Sequence, residues 1–99
     1  MEGRARISAD VLASYAADAA KEIPGVRGLA ESPLPGRRGV RVTTEDDGVS
    51  LELHLSVGWG TSIPAVGQAV QRRVGEYLGR MADVHPAAVD VVVDQIVEA

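Results

Sequence analysis

The chain contains no cysteine and no phenylalanine, and Trp59, Tyr15 and Tyr77 are its only aromatic residues. Without cysteine there can be no disulfide, no thiolate nucleophile and no thiolate metal site, and a reducing compartment is the natural setting. Without phenylalanine the core has to be built from Val, Ala and Leu, so a deep pocket walled by aromatic rings is not expected. Long apolar runs are missing as well. No segment approaches the roughly 20 apolar residues of a membrane span, and Arg4 and Arg6 precede no apolar stretch of the kind a secretion signal carries. Positive charge is scarce: the net charge is −4 and Lys21 is the only lysine. A domain that holds nucleic-acid phosphates is normally basic. The expectation is therefore a soluble, cytoplasmic chain that does not insert into a membrane and for which nucleic acid is a poor partner.

What is present fits one domain over residues 1–99. A chain of this length buries roughly 60 to 65% of its unfolded surface, enough for one core. Ser8 is a credible N-cap, Asp10 puts a carboxylate near the positive end of the helix that follows, and apolar residues from Leu12 to Ile23 recur at helical spacing. This predicts a helix from about Ala9 to Glu22, stopped by Pro24 and Gly25. Val26 to Glu31 reads as a short strand and Ser32 to Gly39 as a loop.

Val40 to Glu45 alternates, Asp46, Asp47 and Gly48 mark a turn, and Val49 to Val57 alternates again. A two-residue turn at Asp47 and Gly48 would set Val42 opposite Leu53 and Val40 opposite Leu55, with Arg41 opposite His54 and Thr43 opposite Glu52 on the polar face. After Gly58, Trp59 and Gly60, Ser62 caps a second helix with Pro64 in its first turn. Its apolar stripe runs through Ile63, Val66, Val70, Val74, Tyr77, Leu78 and Met81. Gly67, Gly75 and Gly79 each cost this helix about 1 kcal/mol relative to Ala, which implies either close approach of another backbone or low helix stability. Val89 to Val97 reads as a last strand, with Val92 and Ile96 forming an apolar strip between Asp90 and Asp94. The fold class is α+β: a two-layer arrangement of an antiparallel sheet with two helices on one face, in the order α-(β)-β-β-α-β.

Chemistry is thin. Glu52 and His54 project from one strand face with Arg41 nearby, but a metal would need further ligands, and no spacing rule ties His85 to them. Asp46 and Asp47 read as turn residues. Gly36, Arg37, Arg38 and Gly39 spell the GXXG of a nucleic-acid-clamping loop, yet here the loop leads into a strand and joins no pair of helices. Ser50 and Ser56 lie mid-strand, without the sharp turn of an activated serine. No catalytic, cofactor-binding or metal-binding residue is assigned. Trp59 stands out, with two readings open: a binding anchor on a loop, or a ring folded over the core edge as a lid.

Taken together, Ile7, Ser8, Val11, Ala16 and Ala19, the run Glu22, Ile23, Pro24, Gly25, Val26, Gly28 and Leu29, then Gly39, Val40 and Val42, and the seam Val57, Gly58, Trp59, Gly60, Ile63, Pro64, Val66, Val70, Gln71 and Val74 resemble the alkaline shock protein family of Gram-positive bacteria. Met81 and the valine-rich last strand extend the likeness over nearly the whole chain. In that family a tyrosine typically precedes the glycine of the seam, so Trp59 departs in size. The resemblance implies a non-enzymatic envelope stress response protein without catalytic residues or cofactors. It also implies a scaffold or interaction module near the membrane, held there by a membrane-anchored protein partner and able to associate with itself. Trp59, Arg41, His54, Val92, Ile96, Arg37 and Arg38 form the expected interaction surface. The alternative is a small nucleic-acid-binding module using the Arg37 and Arg38 loop with Arg72 and Arg73.

Overall fold

A computed structural model describes residues 7–30 and 39–98. The elements are α1 (Ala9–Lys21), β1 (Val26–Leu29), β2 (Val40–Glu45), β3 (Gly48–Gly58), α2 (Ile63–Ala82) and β4 (Ala88–Val97). Both helix starts follow their capping chemistry: the Val11 N–H donates to the Ser8 hydroxyl and the Ala65 N–H to the Ser62 hydroxyl. α1 stops one residue earlier than expected, with Glu22 as its C-cap. α2 ends at Asp83, which adopts the left-handed conformation.

β3 is the spine of the sheet. On one side it carries β1 and β2 end to end, both antiparallel, with β1 against its last residues and β2 against its first. On the other side it carries β4. Leu51, Leu53, Leu55 and Val57 point to one face of β3 and are buried under Leu12, Ala16, Ala19 and Ala20 of α1 and Val66, Val70, Val74 and Leu78 of α2. The alanines of α1 let that helix lie close to the sheet. The expected two-layer α+β arrangement, with both helices on one face, holds.

Several expected details differ. β4 runs parallel to β3, so the sheet is mixed. A 20-residue helix is about 30 Å long and carries the chain back to the start of β3, where a parallel strand has to begin. In the hairpin, Glu45 pairs with Gly48, so Asp46 and Asp47 form the turn, Val40 faces Leu53, and Val42 faces Leu51. A slip of two residues keeps every side chain on its face. It does change partners: Arg41 lies opposite Glu52 rather than His54, and Thr43 opposite Ser50 rather than Glu52.

β4 holds a bulge, because Leu55 pairs with Val93 but Ser56 pairs with Gln95, leaving Asp94 extra. From Gln95 on, the alternation is reversed, and Ile96 lies opposite Val57 instead of sharing a face with Val92. The strip of Val92 and Ile96 is thereby broken. Ile63 and Met81, expected in the buried stripe of α2, are exposed at its two ends. Gly67 and Gly75 have open space where a Cβ would stand, so no backbone approaches them.

Candidate functional site

The face of β3 turned away from the helices presents Glu52, His54 and Ser56. His54 is bonded at both ring nitrogens: Nε2 lies 3.0 Å from Glu52 Oε2 and Nδ1 lies 2.8 Å from Asp94 Oδ2. Only the imidazolium form has a hydrogen on each nitrogen to serve both carboxylates. The bond to Glu52, followed by that to Asp94, raises the His54 pKa above the ordinary 6.5 against the opposing pull of partial burial. Asp94 is the extra residue of the bulge, two positions after Val92, the register partner of His54. Next to it, the Ser56 hydroxyl donates to the Gln95 side-chain oxygen at 2.9 Å. These two contacts add to the pairing of Gln95, Ile96 and Val97 with Ser56, Val57 and Gly58.

The ring bridges β3 and β4, with a carboxylate from each strand at one of its nitrogens. The two carboxylates address opposite sides of one ring and do not converge on a common point, as metal ligands must. Among the described residues no group of three or more His, Asp or Glu side chains is arranged around a cation position. The Ser56 hydroxyl is turned to Gln95, not to the imidazole, so no nucleophile is activated there.

The seam after β3 is fixed by its backbone. The Trp59 N–H donates to the Val97 carbonyl at 2.9 Å, and the Thr61 N–H donates to the Gly58 carbonyl at 3.2 Å. Gly60 sits at φ +83°, in the left-handed region that glycine tolerates. A Cβ on Gly58 would stand 3.0 Å from Nε of Arg27, whose side chain lies over that residue. With its backbone so held, the Trp59 ring is 74% exposed. It is not a lid on the core. The end of β4 lies alongside, with Ile96 51% and Val97 41% exposed, and Ile63 is exposed where α2 begins. Large apolar side chains thus gather at the end of the sheet where β3 leaves it.

Of the residues expected at an interaction surface, His54 and Val92 are register neighbours on the open face, Arg41 lies exposed opposite Glu52, and Ile96 lies with Trp59 at the sheet end. Arg37 and Arg38 lie outside the described residues. On α2, Arg73 is engaged with Glu22 of α1 at 2.9 Å and stands 5.4 Å from the centre of the Tyr77 ring. Asp94, Gln95 and Arg27 were not singled out by the sequence. The adjacent polar pair Asp94 and Gln95 was a usable signal, because it interrupts the period of two that an unbroken strand keeps.

Comparison with known proteins places these features in context. A family model for the alkaline shock protein 23 family, described as having a cell envelope-related function, matches residues 1–98. The uncharacterized protein YqhY of Bacillus subtilis (strain 168) is 32% identical over 89 residues, a match that covers 80% of this chain and 66% of YqhY. The chain therefore spans just under two thirds of that relative's length. Among solved structures, a doubly substituted MamM CTD superposes with a TM-score of 0.64 at 17% identity, covering 87% of this chain and 90% of the other. The manganese form of a singly substituted MamM CTD gives 0.62 at 18% identity, covering 87% and 96%. At such identities the likeness is one of fold.

Proposed function

The chain belongs to the alkaline shock protein 23 family, whose function is related to the cell envelope, and from that membership we propose that it acts as a protein-protein interaction module of the envelope stress response. The observation that carries this reading is the exposure of Trp59, 74% of whose surface is open to water although its backbone is pinned to β4. A large apolar ring on a rigid corner loses little conformational freedom when a partner covers it, which is what a binding anchor requires. Ile96 and Val97 extend the apolar surface, and the outer edge of β4 offers backbone groups to which an extended segment of a partner can add as a further strand. No helix among the described residues is long and apolar enough to cross a membrane. In this reading the envelope is reached through a partner protein held at the membrane, and the module works without catalysis from the cytoplasmic side. His54, Arg41 and Val92 give the open sheet face as a second contact surface.

The test is co-purification from the native host with wild-type chain and with Trp59→Ala, accompanied by light scattering of each purified protein. Loss of a specific partner, or of self-association, with an unchanged circular dichroism spectrum supports the reading. An identical set of partners and an identical assembly state for the two proteins overturns it.

A further inference from the structure

His54 joins two elements that differ in how firmly they are held. Glu52 lies two residues away on the same central strand, whose backbone is paired on both sides, with β2 and with β4. Asp94 belongs to an edge strand and is the residue that the bulge leaves out of the pairing. Beyond Asp94 only three register pairs remain, Ser56 with Gln95, Val57 with Ile96 and Gly58 with Val97, and this short end is further tied by the His54 contact, by the bond between the Ser56 and Gln95 side chains, and by the Trp59 N–H on the Val97 carbonyl. From Ala88 to Val93, by contrast, β4 follows β3 without a break in register, and the Gln71 side chain adds a bond to the Val89 carbonyl at 3.0 Å.

A neutral imidazole carries one N–H. One carboxylate then keeps its hydrogen bond while the other faces a lone pair at hydrogen-bond distance, which is repulsive. The Glu52 backbone is held on both sides, whereas Asp94 is unpaired on an edge strand, so we place the movement on the Asp94 side. The other described charges near the ring are Arg41, opposite Glu52 on β2, and Asp90, opposite Glu52 on β4. Ala30 and Gly39 meet His54 through backbone atoms only. The groups that displace the His54 pKa upward are Glu52 and Asp94.

We propose that His54 is a proton-operated latch: the imidazolium holds the Asp94 bulge of β4 against β3, and loss of its second proton releases the end of β4 together with the contact between Val97 and Trp59. The geometry is supported by the upward displacement of the His54 pKa, caused first by Glu52. The sign follows from that direction. A group with a raised folded-state pKa gives stability that is fully present below its unfolded value of about 6.5 and is lost as pH rises through the folded value. The latch is therefore closed in mild acid and opens on the alkaline side of 6.5. The effect on a partner at the sheet end rests on the docking surface proposed above, whereas the strand itself can be tested without one.

Nuclear magnetic resonance of the whole chain follows the His54 ring and the exchange protection of the Trp59 amide together, the latter corrected for the intrinsic pH dependence of exchange. Protection of Trp59 is expected to fall several-fold across the His54 titration while that of residues in α2 stays constant. Two variants shift the outcome in opposite directions. Asp94→Ala removes the β4 arm and leaves Trp59 weakly protected at every pH. Glu52→Gln places an amide that can donate to the lone pair at Nε2, so the neutral ring keeps its bond to Asp94 and protection stays high throughout. Constant protection of Trp59 in the wild type while His54 titrates overturns the latch, as does a pH dependence of Asp94→Ala equal to that of the wild type. Neither result touches the partner surface, which Trp59→Ala tests separately.

Discussion

The Trp59 N–H and the Val97 carbonyl, 2.9 Å apart, tie the corner after β3 to the last residue of β4 while leaving the indole ring in water. The bond uses the backbone alone, so the side chain is free of any structural duty at this position. Trp59→Ala is accordingly expected to change unfolding free energy by no more than about 0.5 kcal/mol, as for other surface sites. Urea denaturation followed by circular dichroism measures this. In the wild type, acrylamide should quench the indole fluorescence freely.

Gly67 and Gly75 stand in the middle of α2 with open space at the position of a Cβ. Replacing either with alanine removes the backbone entropy penalty without creating a clash. Each substitution should raise stability by about 1 kcal/mol, which corresponds to roughly 4–8 °C in Tm for a domain of this size. Gly79→Ala should gain less, since a Cβ there would meet the His85 ring at 3.2 Å. Thermal melts of the three single variants decide the ranking.

Gly39 has φ +73°, and a Cβ on it would collide with the Ala30 carbonyl oxygen and stand 3.0 Å from that of His54. Its own carbonyl accepts from the His54 N–H at 2.7 Å, so the backbone cannot rotate away without losing a sheet bond. Gly39→Ala should destabilise by on the order of 3 kcal/mol, combining strain with the clash. Equal midpoints in urea for this variant and the wild type would contradict the close approach.

Leu53 is wholly buried at the centre of β3, opposite Val40 and Val91 in register. Leu53→Ala leaves a cavity between sheet and helices, and its expected cost is about 2–5 kcal/mol. The unfolding midpoint should fall far more than for Val42→Ala at the half-buried edge.

Arg73 of α2 links to the end of α1 by its bond to Glu22 and stands over Tyr77 of its own helix, whose ring in turn meets Tyr15 of α1 edge-on with centroids 5.8 Å apart. The ion pair is exposed, so its share of the coupling should shrink in high salt, whereas contact of the guanidinium with the ring should not. A double-mutant cycle of Glu22→Gln and Arg73→Gln, run at low and at high salt, separates the two contributions.

The elements of this fold were open to sequence reading because their boundaries carry local chemistry: Ser8 and Ser62 as caps, Pro24 and Gly25 as a stop, and alternation in β2 and β3. Pairing was less legible. Shifting the hairpin by two residues leaves Val40, Val42, Leu51 and Leu53 on the same face, so the apolar pattern cannot choose between the registers. The direction of β4 depends on where α2 delivers the chain, which is a matter of lengths in space. The His54 cluster was half visible. Glu52 and His54 share a strand face at a spacing of two, but Asp94 joins them only once β4 is known to lie beside β3 in this register, which the sequence alone does not specify. The exposure of Trp59 could not be decided from its glycine neighbours, because a corner of that kind can turn its ring either way.

Among the described residues every other strand of the sheet pairs with β3, and none of them pairs with another. During synthesis, the chain up to Gly58 can close α1, β1, β2 and β3 into a half-formed layer. The far edge of β3 must then wait for some thirty further residues before β4 arrives to cover it. That interval is when this protein is most open to pairing with the wrong strand, a neighbouring nascent copy included. Slow passage of the ribosome through α2 should therefore lower the yield of native protein, even though the finished fold is unchanged.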